Sequence, residues 1–303
     1  SEHIRPHIPM RVGGRGAQVP KEVPGSKLGA LPLVAVPTTA GTGSEVTRFA
    51  VVTDSATGEK MLLSGEACVP SAAIVDPELT KTLPFRVAAD TGIDALTHAI
   101  EAFVSQKANA FSDMYALSAM RLVYQNLESA CLASSDMVAK EKVMVGATQA
   151  GLAFSASSVA LVHGMSRPLG AHFHVPHGLS NAMLLLAVIN HSLEKAPIND
   201  LPHIMNRYAR CAKQMGIVND QTDVHDESAV QDLLSCLRDL LQTLEVPTPQ
   251  EYGIDEDQYF SKIDLMTKQC VASGSPNNNP TILSQDSIKT IYEEVYKSKD
   301  RCM

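Results

Sequence analysis

Between Asp226 and Thr243, Val230, Leu233, Leu234, Leu237, Leu240 and Leu241 recur at steps of three and four, while Asp232, Arg238 and Asp239 take the other face. That spacing draws one apolar stripe along a helix and predicts an amphipathic helix resting on a core. Similar patterning predicts helices over 87–104, 112–128, 136–153, 155–163, 177–192, 200–215, 226–243, 256–271 and 285–297. Ser284 is a fair N-cap for the last of them, with Asp286 in its first turn. Before Pro84 the pattern differs, with short apolar runs between Gly, Pro and polar turns. Leu31–Val36, bounded by Gly29 and Pro37, reads as a buried strand. Phe49–Thr53 and Lys60–Ser64 read as two more, joined by a turn at Asp54–Gly58, and Ala72–Val75 as a further short one. Pro84 therefore marks a boundary. The expectation is an α/β portion over 1–83 followed by an all-α portion over 84–303.

Residues 1–30 carry Pro, Gly and Arg without apolar periodicity and read as loop or linker. Gly13-Gly-Arg-Gly16 has no strand before it and no helix after it, so a loop is preferred to a phosphate-binding turn. Val246–Pro249 and Ser273–Pro280 are loops, and no internal repeat is visible.

Composition narrows the function classes. At 303 residues the chain is long enough for a large core and two domains. Apolar residues make up 45% and charged residues 19%, the balance of an ordinary globular protein. A formal charge of −8 argues against nucleic acid as a partner. No apolar run approaches the roughly 20 residues that span a bilayer, so no membrane partner is expected. The six cysteines, at 68, 131, 211, 236, 270 and 302, are scattered with no C-x2-C pair. Reduced thiols in a cytoplasmic setting are the expectation, with the mitochondrial matrix as the alternative.

Candidate chemistry gathers in two places. In Thr91-Gly-Ile-Asp-Ala-Leu-Thr-His98, Asp94 and His98 stand four apart on a predicted helix and so share a face. A carboxylate and an imidazole so placed can ligate a divalent metal together. An isolated pair of this kind also has an ordinary structural reading, with the acid complementing the helix dipole. Downstream, His163, His172, His174 and His177 fall within fifteen residues of a chain that has ten histidines. His163 ends an apolar small-residue run, and His177 follows Pro176 at a predicted helix start. A helix end, a tight Gly/Pro loop and a helix start would return two imidazoles to one point. Three histidines and one carboxylate suit iron or zinc. Such a centre is able to polarise an oxygen if one coordination position stays open. His172 and His174 would point apart in an extended segment, and either is read as a non-ligand. Asp90 has two readings, an acid orienting an imidazole and a helix N-cap. Arg167 is read as structural or cofactor-binding rather than catalytic.

Thr38-Thr-Ala-Gly-Thr-Gly-Ser-Glu-Val-Thr47, Asp94-Ala-Leu-Thr-His-Ala-Ile-Glu101 and His163-Gly-Met-Ser-Arg-Pro-Leu-Gly170 with Pro176-His-Gly178 follow one another in a fixed order. In order and approximate spacing they resemble the iron-containing (group III) alcohol dehydrogenase family, from about Leu33 onward. The resemblance implies a dehydroquinate-synthase-like fold, with a partial dinucleotide-binding domain before an all-helical metal-binding domain. It implies metal ligands at Asp94, His98, His163 and His177, holding Fe2+, with Zn2+ as the alternative. It also implies an NAD or NADP cleft lined by Thr38, Thr39, Thr42, Gly43, Val51, Lys60, Leu79 and Leu83. Alone, the Thr/Gly turn is more often only a turn, and Lys60 an edge-strand lysine.

The implied reaction is reversible hydride transfer between a small alcohol or aldehyde and NAD(P), in a homo-oligomer, expected as a dimer. The Gly-rich pyrophosphate turn that the family carries upstream of the Thr-Thr motif is not recognisable here, so a shortened cofactor domain is expected. The competing readings are a glycerol-dehydrogenase-like or dehydroquinate-synthase-like relative and a non-catalytic metal-binding helical module.

Overall fold

A computed structural model describes residues 17–18, 32–53, 60–65, 68–133, 135–219 and 225–297, with side chains left undescribed at 17–18 and 51–64. The predicted turn at 54–58, the Gly13–Gly16 loop and most of 1–30 lie outside the described residues. Among those residues the protein is mostly helical with a small sheet component, and every strand precedes every α-helix.

The strands are β1 (Ala17–Gln18), β2 (Val34–Ala35), β3 (Phe49–Thr53), β4 (Lys60–Ser64) and β5 (Ala72–Ala73). β4 pairs parallel with β1 and antiparallel with β3, in the order β1-β4-β3. β2 and β5 form a separate parallel pair. The run Leu31–Val36, expected as a buried strand, is shorter and lies open: Leu33, Val34 and Val36 are about half exposed. Its apolarity correctly signals a strand, but β2 pairs with the two-residue β5, and only Ala35 is half-buried while Val34 stays open. A 3-10 turn at Pro77–Thr80, capped by Asp76, leads to the helices.

The helices are α1 (Phe85–Val104), α2 (Ala110–Leu132), α3 (Met137–Ala156), α4 (Leu161–Phe173), α5 (His177–Glu194), α6 (Leu201–Met215), α7 (Asp226–Thr243), α8 (Glu256–Ala272) and α9 (Gln285–Lys297). Every residue of α1 from Gly92 to Val104 is buried, because α2, α3, α5 and α6 enclose it. Ala95, Ala99 and Ala102 give these neighbours short approach distances while keeping helix propensity high. α2 starts at a capping box: the Asn109 side chain accepts from the amides of Phe111 and Ser112, and Ser112 Oγ accepts from the Asn109 amide. α3 starts at Asp136, whose carboxylate accepts from the Ala139 amide and the Ser129 hydroxyl. On α7, Val230, Leu233, Leu234, Leu237, Leu240 and Leu241 are all buried, as the spacing predicts. Each such side chain contributes roughly 1.5–3 kcal/mol of burial free energy.

A second stretch differs from the sequence reading. The helix expected over 155–163 and the Gly/Pro loop expected after it are replaced by a break at Ser157–Ala160 and then by α4. Pro168 lies inside α4, where it removes one amide donor. Burial of Leu161, Val162, Met165 and Leu169 offsets that loss and keeps the segment helical. No single described helix is long and apolar enough to cross a membrane.

Candidate metal centre

α1 supplies two side chains of the site, α4 a third and α5 a fourth. Asp94 and His98 lie on the buried face of α1. His163 stands in the first turn of α4 rather than at a helix end, and His177 is the first residue of α5. The chain between them is a helix and a short link, not a tight loop. His174 makes the turn with a left-handed backbone, φ 56°, before Val175 and Pro176 lead into α5. Gly178 lets α5 start against α1: a Cβ there would lie 2.1 Å from the Asp90 carbonyl oxygen.

The donor atoms converge. Asp94 Oδ1 lies 3.8 Å from His98 Nε2, 3.4 Å from His163 Nε2 and 3.7 Å from His177 Nε2. Asp94, His98 and His163 each offer a ligand atom within 4.8 Å of the others. A tetrahedral ion with bonds near 2.1 Å separates its donors by about 3.4 Å, so the spacing fits a divalent metal. Asp94, His98 and His163 are buried, whereas the His177 side chain is 47% exposed and forms the rim.

Glu101, seven residues after Asp94, completes the buried part. Its Oε2 lies 2.6 Å from His163 Nδ1, and its Oε1 accepts from the Val162 amide at 2.6 Å. The carboxylate thus satisfies a free amide at the start of α4 and holds the Nδ1 proton, turning Nε2 to the centre. Phe154 stacks on His98 at 4.3 Å, and His98 stacks on His163 at 4.5 Å.

Burial works to raise the Asp94 pKa, but the imidazoles of His98, His177 and His163 outweigh it and hold the carboxyl below its ordinary range. Burial pushes His98 down to about 3, which keeps its lone pair free near neutral pH. Burial also acts to lower His163, but Glu101 and Asp94 on either side raise it to about 9. The flanking carboxylates thus favour positive charge at this spot, and a bound divalent ion would displace the His163 proton.

The Thr/Gly turn reaches the same place. The Gly41 backbone lies close enough to His98 to favour its protonated form, while His98 Nδ1 is buried with no hydrogen-bond partner. Gly43 takes a left-handed backbone, φ 60°, and a Cβ on it would lie 2.5 Å from the Gly151 Cα of α3. Thr38 and Thr42 are exposed and Thr39 half-buried, and Thr42 Oγ1 accepts from the Ser44 amide. Leu79 is 40% exposed and Leu83 half-buried. Val51 lies on β3 and Lys60 on β4, with side chains outside the described part.

The remaining candidates from the sequence fall elsewhere. Asp90 neither caps a helix nor orients an imidazole: Arg86 binds it at 2.6 Å, one turn earlier on α1. Arg167 donates to Ser275 Oγ at 3.3 Å. His172 lies in the last turn of α4 beside Gln269, so it and the left-handed His174 do not alternate along a strand. Sequence reasoning leaves Glu101 without a role and misses Asn181, although helical spacing of seven and four from Asp94 and His177 is there to be read.

Residues 88–296 match the family model described as the Fe-containing alcohol dehydrogenase family, C-terminal, and residues 15–77 match iron-containing alcohol dehydrogenase. The chain is 35% identical over 264 residues to the NADPH-dependent butanol dehydrogenase of Clostridium saccharobutylicum, covering 87% of this chain and 64% of that one. It is 36% identical over 264 residues to the 1-propanol dehydrogenase of Salmonella typhimurium, covering 86% of this chain and 69% of that one. The crystal structure of a 1,3-propanediol oxidoreductase superposes with a TM-score of 0.81 at 31% identity, over 91% of this chain and 68% of the other. An iron-containing alcohol dehydrogenase from Thermococcus thioreducens gives 0.79 at 32% identity, over 92% and 67%. With the family match spanning the helices that carry all four converging side chains, the chain belongs to the iron-containing alcohol dehydrogenase family.

Proposed function

We propose that the chain carries the catalytic centre of a metal-dependent alcohol dehydrogenase, which moves a hydride reversibly between a small alcohol or aldehyde and NAD(P). The observation that carries the proposal is the convergence of Asp94, His98, His163 and His177 with one side left open at His177. These four residues would hold the ion, Fe2+ by family and Zn2+ by the same donor set. When bound, the ion would supply Lewis-acid polarisation of a substrate oxygen. The protein's own part is positional. Glu101 fixes the His163 ring, Phe154 backs His98, and burial of three donors keeps water from their far sides. The Thr38–Gly43 turn, set against α1 where Gly41 meets Thr91, would offer its hydroxyls and amides to a cofactor amide or phosphate.

Thr38, Thr39, Thr42, Gly43, Val51, Lys60, Leu79 and Leu83 belong to the proposed cofactor side. The proposal also includes a partial dinucleotide-binding domain ending near Pro84, a homodimer and a cytoplasmic location. The similarity to a butanol dehydrogenase and a 1-propanol dehydrogenase supports short alcohols as substrates.

The test is anaerobic loading with Fe2+ or Zn2+, then oxidation of a panel of short alcohols and diols with NAD and with NADP. Metal-dependent turnover is expected, and retention of either nucleotide is measured separately. His163→Ala is expected to abolish metal retention. Metal bound to that variant as tightly as to the parent protein would overturn the ligand assignment.

A further inference from the structure

Asn181 lies on α5, fully buried, one turn after His177. Its side-chain Nδ2 donates to Asp94 Oδ1 at 2.6 Å and stands 3.1 Å from His163 Nε2 and 3.4 Å from His177 Nε2. The other amide atom, Oδ1, is buried with no hydrogen-bond partner. The side chain therefore spends its donor end on Asp94, beside the two imidazoles, and leaves its acceptor end unserved. An amide nitrogen offers two N–H donors and accepts nothing. It serves one lone pair of a carboxylate oxygen as a cation does, and here it takes the one turned toward the histidines, standing among the donors where an ion would stand. A divalent ion about 2.0–2.2 Å from the same donors would press against those hydrogens.

Building on the metal-centre reading above, we propose that Asn181 is a positioning residue that competes with the ion. Its NH2 group holds Asp94 near His163 and His177 when no ion is bound, and gives up those contacts when one enters. The centre is thereby kept assembled between loadings, at the expense of metal affinity and of the rate of uptake. Asn181 is set for this by its place on α5: four residues after His177, it shares that face of the helix and points to the same centre.

The experiment uses the full chain, stripped with a chelator, with Co2+ as a coloured probe. Melting temperature is recorded with and without Co2+, and uptake is followed by absorbance. For Asn181→Ala, the stripped protein is expected to melt lower than the parent, and the Co2+-induced rise to be larger. Co2+ affinity should tighten about tenfold, the scale of one lost charge-assisted hydrogen bond. A cavity alone lowers both forms equally, so the ion-induced rise is the deciding quantity. Asn181→Asp keeps the shape but sets a second carboxylate against Asp94. Its stripped form should be less stable still and its ion-induced rise larger. An unchanged rise in both variants overturns the proposal. So does weaker Co2+ binding by Asn181→Ala with an unchanged stripped melting temperature, which would make Asn181 a ligand. Absence of Co2+ uptake by the parent protein would instead sink the metal-centre reading, and this inference with it; uptake by the parent with no difference in the variants sinks this inference alone.

Discussion

Glu101 sets the orientation of a ring that it does not share with any other described carboxylate at Nδ1. Replacing it by Gln keeps the shape but removes the charge that draws the Nδ1 proton. Glu101→Gln should weaken metal binding about 10–100-fold, the usual scale for losing a carboxylate behind a ligating imidazole. Equilibrium dialysis with Zn2+ checks this, and affinity equal to the parent's would show that His163 is oriented by other means. At Gly178 the limit is space rather than charge. A methyl group placed 2.1 Å from the Asp90 carbonyl forces α5 away from α1 and moves His177 with it. Gly178→Ala should therefore lose both stability, by about 1–3 kcal/mol, and metal affinity. Chemical denaturation and metal titration of the same preparation measure the two losses. Asp94 and His98 were legible as a pair because helical spacing alone puts them on one face. Glu101 and Asn181 were not, since a carboxylate or amide on a helix has many ordinary uses and only the folded contacts select one.

Among the elements, α7 and α4 mark the two ends of legibility. On α7 every buried position but Ala229 is Val or Leu, and together they recur along one face at helical spacing, so periodicity alone locates the helix and its inner face. On α4, Gly164, Pro168 and Gly170 punctuate thirteen residues, and local signals favour a loop. The helix exists because its apolar residues find partners on α5 and α8, which lie later in the chain and which no local window contains. β2 shows a third case: its apolar residues announced a strand correctly, but periodicity carries no information on which neighbours cover it. The stability of α7 gives a prediction independent of the site. Leu237 is fully buried, so Leu237→Ala should cost about 2–5 kcal/mol through lost contacts and a residual cavity. In denaturant titrations the midpoint should fall. Metal affinity of the folded form should hold, because α7 contributes none of the four donors.

At the scale of the whole molecule, the centre joins α1 to the consecutive helices α4 and α5, which the chain reaches only after α2 and α3. α1, enclosed on its sides, carries Asp94, His98 and Glu101, while α4 and α5 bring His163 and His177 to it. Unfolding scatters these donors, so an ion bound by all four favours the folded state by mass action. The stabilisation is about 2.7 kcal/mol at a free-ion concentration a hundred times Kd, and grows by about 1.4 kcal/mol with each further tenfold rise. Chelation should consequently lower the melting temperature, and the loaded protein should melt at a temperature that climbs with the logarithm of free Zn2+. The same scan on His163→Ala separates this linkage from any nonspecific effect of the metal. With one donor gone and its neighbours left without the fourth arm, the variant should melt at a temperature nearly independent of added Zn2+. If parent and variant instead climb in parallel, the ion stabilises the protein elsewhere on its surface, and Asp94 with its three histidines is not what binds it.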